Sequence, residues 1–497
     1  MKLSIVTFIV TVVVLSVIYI YNSSTLLESR VLKDYVEKYD PNYKWTLNAT
    51  YNTNVSTIYI LELTSQKWDM GNSSSPLWKH WLTVCIPNNA TENLETGLLL
   101  IDGGSTVNWA VPSVNGWSSF GQQLCKTSNE ITATVQQVPN EPLIFDNNGI
   151  KRSEDGIVAL TWRKYIDTKD SNWVSLLPQT KSAIKAMDAV QEFGKEIGKF
   201  SIKNFVVTGA SKRGWTTWGT AMSSDKRVVG IAPMVIPILN VAENIGSQMQ
   251  DLGEWSFELY DYIQNGITNF LYTKYFDNLR KIIDPINYIN TLEPIAKYVL
   301  NAADDEFFAV DSPKFFYSKL KGETRLNTYP NTNHNGIKKQ AVANDIVNFF
   351  KLVAFGIERP EIEWSIEYSQ DKNFGTIKMK VLKGVPTKIS LWFSTTISTT
   401  MRDFRMYTCE DASCYQNLDW QSIDIEISPE NNYFYTMEKP AAGWTGFFYQ
   451  VEFETGSYYS TEVSIVPDIL PFPKCPMSVC ASGIPAYKNK TLEIENN

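Results

Sequence analysis

A chain of 497 residues exceeds what one ordinary hydrophobic core supports, so two domains, or one large domain with an appendage, are expected. Apolar residues make up 43% and aromatic residues 13%, which fits a globular protein and excludes a disordered one. The net charge of −8 comes with no basic run, so nucleic acid is not an expected partner.

Lys2 is the only charge before Glu28, and residues 3–20 are almost wholly apolar. Residues 1–24 read as a signal peptide or an uncleaved signal anchor. The apolar run is near the roughly 18 residues a spanning helix needs, and it lacks a tidy small-x-small cleavage site. Either reading carries the rest of the chain across a membrane. The expected protein is secreted, or alternatively a single-pass membrane protein with an extracellular domain if the segment stays uncleaved. Asn-x-Ser/Thr sequons at Asn22, Asn48, Asn54, Asn72, Asn89 and Asn489 agree with a glycosylated surface. The six cysteines are Cys85, Cys125, Cys409, Cys414, Cys475 and Cys480. Two pairs share a C-x4-C spacing that closes local loops, which leaves Cys85 and Cys125 for each other. No histidine lies near the cysteine pairs, so disulfides in an oxidising compartment are expected, and no zinc.

Residues 30–75 are polar and read as an opening hairpin carrying glycans. Residues 81–87 form a strand stopped by Pro87. The apolar run 97–101 is a strand buried on both faces. It ends in Asp102-Gly103-Gly104-Ser105. A Gly-Gly turn there is either a plain strand end or the place of an oxyanion-binding backbone N–H. Residues 131–138 give the next strand and 157–162 a further element. A helix follows, with Ala183, Ala186, Met187, Val190, Phe193 and Ile197 on one arc.

The β-branched run at 205–208 is a short buried strand, broken by Gly209. Ser211 comes next, and a helix continues from Trp215. Strand, tight turn with a central serine, helix: this is the layout of a nucleophile elbow. Its spelling is irregular, because Arg213 stands where a second small residue is usual and the glycine comes one place late, at Gly214. Residues 230–236 form another strand. Between about 239 and 285 the pattern turns helical and aromatic, as expected of a cap. Its aromatic residues either pack the cap onto the sheet or line a substrate pocket. Strands at 296–302 and 324–329 and a helix at 341–355 close this part. Beyond Pro360, alternating strands at 376–381, 388–393, 433–437 and 447–453 indicate a small β-sandwich. The expected fold class is α/β: an α/β-hydrolase-like doubly wound sheet over 35–358 with a helical cap, then an all-β sandwich over 360–470. A tail over 471–497 is tied by Cys475 and Cys480.

The whole chain holds two histidines. A serine hydrolase needs an imidazole to take the serine proton and a carboxylate to hold its tautomer. His334 lies in the loop after the last apolar strand, and Asp304 and Asp305 in the loop after the strand before it, with Asp305 preferred. The order Ser211, Asp305, His334 is that of the α/β-hydrolases. His80 precedes the serine and reads as structural. The oxyanion donors would be the backbone N–H of Lys212 and one from Gly103 or Gly104. The Lys212-Arg213 pair either favours an anionic substrate or oxyanion, or sits on the exposed start of the helix paired with acids. A purely structural role is the expectation if Ser211 and His334 lie too far apart to hydrogen-bond. No metal or organic cofactor is suggested.

With these residues in view, the chain resembles the PhoPQ-activated pathogenicity-related family, and within it the secreted autocrine proliferation repressors. The resemblance spans about residues 35–470. It is carried by Trp78-Lys79-His80-Trp81, by Val207-Thr208-Gly209-Ala210-Ser211-Lys212-Arg213-Gly214-Trp215, by Asp305-Glu306-Phe307-Phe308, by Pro330-Asn331-Thr332-Asn333-His334, and by Arg402-Asp403-Phe404-Arg405. The turn around Ser211 is also similar to the Gly-x-Ser-Arg-x-Gly turn of glucuronoyl esterases. The acid loop departs from the family pattern, since Ala303 stands where a glycine commonly precedes the acid. The resemblance implies an α/β-hydrolase fold with a trailing β-domain. It implies a secreted autocrine signal that slows proliferation and repels cells, with a cell-surface receptor and another secreted protein as expected partners. The alternative is a secreted serine hydrolase, an esterase or peptidase, using Ser211, Asp305 and His334.

Overall fold

The computed structural model describes residues 30–474 apart from 92 and 93. The expected signal segment, Asn22, Asn489, Cys475 and Cys480 lie outside the described residues. Among the described residues no helix is long and apolar enough to cross a membrane.

Nine strands form the main sheet: β1 (Lys44–Asn52), β2 (Ser56–Lys67), β3 (Leu77–Pro87), β4 (Thr96–Ile101), β5 (Thr132–Val135), β6 (Asn204–Ala210), β7 (Val228–Met234), β8 (Ala296–Ala302) and β9 (Thr324–Tyr329). Their spatial order is β1-β2-β3-β5-β4-β6-β7-β8-β9. β1, β2 and β3 run antiparallel to their neighbours, and from β5 onward every pairing is parallel. Every residue of β4, β8 and β9 is buried, as a strand covered on both faces requires.

The helices of ten residues or more are α1 (Ser119–Ser128), α2 (Glu154–Thr168), α3 (Leu176–Ile197), α4 (Lys212–Met222), α5 (Val241–Leu252), α6 (Lys274–Ile283) and α7 (Gln340–Ala354). The element expected at 157–162 is thus part of a helix, α2. α3 is buried along most of its length, and its neighbour α4 packs so closely that a Cβ on Gly219 would lie 2.3 Å from Thr180 Oγ1. α5 and α6 rise from the connection between β7 and β8, with short helical turns between them.

The β-rich part holds β10 (Glu361–Tyr368), β11 (Phe374–Lys383), β12 (Pro386–Thr395), β13 (Gln421–Asp424), β14 (Asn432–Glu438), β15 (Thr445–Phe453), β16 (Tyr458–Ser460) and β17 (Ser464–Val466). One sheet runs β10-β11-β14, the other β13-β12-β15-β16, with β17 also on β15. Ile377, Met379 and Val381 of the first sheet and Leu391, Phe447 and Val451 of the second belong to one buried cluster. That cluster continues without a break into the main sheet through Val206 and Leu300 and into α7 through Phe349. Tyr298 of β8 reaches across, donating from its hydroxyl to Tyr458 O at 2.6 Å. Disulfides join Cys85 to Cys125 and Cys409 to Cys414.

Candidate active site

Ser211 stands between β6 and α4 with φ 56° and ψ −124°, a conformation that non-glycine residues adopt only under strain. Its N–H donates to Met234 O at 2.9 Å, which ties the turn to β7. The irregular spelling has a steric reason. A Cβ on Gly209 would lie 2.7 Å from Arg213 O, so the small residue answers to the helix backbone rather than to a side chain. A Cβ on Gly214 would lie 2.7 Å from Ile236 Cγ2 and 2.9 Å from Met234 O, so the late glycine is where α4 crosses β7.

Arg213 is buried and Lys212 half-buried, which corrects their expected place on an exposed helix start; the expected pairing with acids is what the structure shows. Arg213 donates from Nε to Val138 O at 2.5 Å and from Nη1 and Nη2 to the Glu154 carboxylate at 2.6 and 2.8 Å. Glu141 lies 3.5 Å from the same guanidinium. Burial and the Glu154 charge push Glu141 up to about 7, whereas Arg213 holds Glu154 below its ordinary range in spite of burial. Lys212 donates to Asp155 at 2.6 Å, and Tyr262 of the cap donates its hydroxyl to the same carboxylate at 2.8 Å. Burial works against the lysine charge, but Asp155 and Glu154 keep its ammonium above the usual range. Both charges are thus neutralised from within.

Gly103 and Gly104 follow β4 at the same end of the sheet. The Gly103 N–H donates to Asp102 Oδ1 at 3.0 Å. A Cβ at Gly103 would lie 2.5 Å from Arg213 Nη2, so the absence of a side chain there makes room for the guanidinium. Gly104 has φ 132°, and the N–H of Lys212 opens the first turn of α4, where helical geometry supplies no acceptor.

His334 and Asp305 meet. His334 Nδ1 lies 2.9 Å from Asp305 Oδ2 and 3.0 Å from Oδ1, with both side chains buried. Asp305 Oδ1 also accepts the N–H groups of Phe307 and Phe308, and Glu306 accepts the N–H of His334. Asp304 turns away and accepts from Trp420 Nε1 at 2.7 Å, so geometry separates the adjacent acids. His334 Nε2 is buried and has no hydrogen-bond partner among the described residues, so it is not joined to Ser211. The Phe307 ring centroid lies 4.5 Å from that of His334, and Lys212 Nζ stands 5.2 Å over the same ring. Ser211 opens on a cavity of about 20 Å³ walled by Trp162, Trp215, Ile245, Leu259, Tyr262, Phe307 and Phe308, room for about one water molecule. The cap contributes Ile245, Leu259 and the Tyr262 ring to this wall, and the remaining rings come from α2, α4 and the acid loop. Burial, with Asp155 and Glu306 nearby, pushes the cap carboxyl of Glu258 up to about 7.

His80 lies apart from these groups. Its Nε2 bonds Ser65 Oγ at 2.9 Å and its Nδ1 bonds Gln136 O at 3.0 Å. Burial lowers its pKa to about 4, which keeps the ring neutral and structural.

Residues that sequence reasoning did not foresee hold the acid loop from outside. Arg402, between β12 and β13, donates to Asp251 of α5 and to Asp311. Met406 N–H donates to Asp304 O at 3.0 Å. The Arg402-Asp403-Phe404-Arg405 motif was visible as a motif, but nothing in it announced its partners.

A serine in a strained strand-to-helix turn after β6, an acid after β8 and a histidine after β9 follow the chain order of the α/β-hydrolase fold, with His334 joined to Asp305 and not to Ser211. The chain matches the model of the PhoPQ-activated pathogenicity-related protein family over residues 32–405, and it belongs to that family. It is 41% identical over 473 residues to autocrine proliferation repressor protein A of Dictyostelium discoideum, covering 92% of this chain and 94% of that one. Among solved structures it is similar to an acetyl xylan esterase from Paenibacillus sp. R4, at TM-score 0.40 and 14% identity, covering 66% of this chain and 94% of that chain. A glucuronoyl esterase from Solibacter usitatus gives TM-score 0.37 and 14% identity over 65% and 91% of the two chains.

Proposed function

We propose that this protein is an extracellular autocrine signal that slows the proliferation of the cells releasing it and repels them. The observation that carries this reading is the near end-to-end 41% identity to a protein named as an autocrine proliferation repressor. The two disulfides support an oxidising, extracellular setting. Its partners in this reading are a cell-surface receptor and another secreted protein. The test is to delete the gene and add back purified protein. Faster growth on deletion, reversed by the protein in the medium, supports the reading; unchanged growth in both arms overturns it.

A second reading, a secreted serine hydrolase acting on esters or peptides, is favoured by the His334–Asp305 pair and the strained Ser211 turn. The serine would attack, His334 would take its proton at Nε2, and Asp305 would hold the Nδ1–H tautomer. Such serine–histidine contacts in free enzymes often tighten only when substrate is bound. Fluorophosphonate labelling of the wild type but not of Ser211→Ala supports an activated serine. If Ser211→Ala also keeps full growth-slowing activity, the signal acts by binding alone.

A further inference from the structure

Among the described residues β1 is an edge strand, paired with β2 alone. The opposite edge, β9, is covered by the β-rich part, where Ser460 Oγ accepts the Thr328 N–H at 3.0 Å. The edge strand β10 is guarded by Glu361, Glu363 and Glu367. β1 has neither kind of protection. After Lys44 it reads Trp-Thr-Leu-Asn-Ala-Thr-Tyr-Asn, without a charge or a proline, and Leu47 is 45% exposed. Such an edge is a template for pairing with another chain, and a second copy carries the same one.

One residue interrupts it. The register with β2 shifts between Leu47 and Ala49, which leaves Asn48 as an unpaired bulge. Asn48 is exposed, and its Oδ1 accepts from Thr46 Oγ1 at 3.1 Å. It is the first residue of the sequon Asn48-Ala49-Thr50, and exposed Asn54 begins a second sequon in the turn into which β1 runs.

We propose that Asn48 carries an N-linked oligosaccharide which shields this open sheet edge from pairing with a second copy of the chain. Transfer joins Asn48 Nδ2 to the anomeric carbon of a lipid-linked diphospho-oligosaccharide. The bond from that carbon to the phosphate oxygen breaks, the lipid diphosphate leaves with the electron pair, and one amide proton passes to base. The bulge holds the attachment point outside the alternation of the strand, and the sugar then occupies the space an incoming strand needs.

The inference rests on the extracellular reading above. The test uses full-length protein from the culture medium of eukaryotic cells. Mass spectrometry after amidase release of glycans in heavy-oxygen water is expected to mark residue 48. Sedimentation velocity is then compared for native protein and for Asn48→Gln, because amidase treatment itself leaves a charged Asp at residue 48. The Asn48→Gln form is expected to self-associate about tenfold or more tightly. Adding Leu47→Lys to Asn48→Gln should restore the monomer, and Asn72→Gln, remote in the connection between β2 and β3, should leave it unchanged. A bare Asn48 on secreted protein overturns this inference alone, and a chain confined to the cytosol overturns both readings. Asn48→Gln protein that sediments like the native form, or association that Leu47→Lys does not reverse, also overturns it.

Discussion

Arg402 Nη1 lies 2.8 Å from Asp251 Oδ1, with both side chains buried, so the β-rich part and the cap are joined by an ion pair shielded from water. The same guanidinium meets Asp311, and burial is opposed there by Arg402 and Lys314, which hold the Asp311 carboxyl below its ordinary range. Arg402→Met leaves the buried Asp251 carboxylate without its cation and Asp311 with Lys314 alone. Its expected cost is about 3–5 kcal/mol, the range for breaking a buried pair from one side. Urea unfolding of wild type and variant measures it; a loss under 1 kcal/mol by the same measure would mean that the bridge contributes little net stability (roughly the value of a surface pair).

Asp304 gives a pH signature. Burial pushes its carboxyl up to about 7, with Glu306 adding to burial and the Trp420 N–H opposing it. Between the ordinary aspartate range and pH 7 the folded chain keeps this proton while the unfolded chain has lost it. Stability therefore falls as pH rises through that window, by at most about 1.4 kcal/mol per pH unit. Asp304→Asn, which retains an oxygen for Trp420, should be more stable than wild type at pH 7.5, and the difference should shrink toward pH 4. Thermal melts across that range check it.

Phe307 separates the two halves of the candidate site. Phe307→Ala removes the ring between Lys212 and His334 and widens the cavity over Ser211. Fluorophosphonate capture of Ser211 should then speed up about tenfold, equal to ~1.4 kcal/mol of barrier. Equal rates in wild type and variant would show that this ring does not limit access.

The Cys85–Cys125 disulfide closes a separation of 40 residues and packs with Trp81 and Trp117. Replacing both cysteines by alanine should cost about 4 kcal/mol if chain entropy dominates. Chemical unfolding of the double variant provides the number.

Much of the fold was legible because its signals are local. The strands expected at 296–302 and 324–329 coincide with β8 and β9, and the glycine-broken run before Ser211 marks the elbow. Loop order brought His334 to the adjacent Asp304 and Asp305, and the fold decides between them in favour of Asp305. The rest depends on contacts between residues far apart in the chain. Arg213 looked like a surface cation because its partners, Glu141 and Glu154, lie in a separate loop and helix start. The Gly103 N–H goes to the side chain of the preceding Asp102, an acceptor that local sequence does not single out.

Asp305 does more than face a histidine, since it also terminates its own loop through the N–H groups of Phe307 and Phe308. His334 is fixed through its backbone to Glu306 as well as through its ring. Selection for folding alone would therefore retain the acid and the imidazole in a lineage that had given up chemistry. The Ser211 hydroxyl holds no such joint among the described residues. Across relatives, drift at the serine is the trace that would tell an inherited scaffold from a working hydrolase.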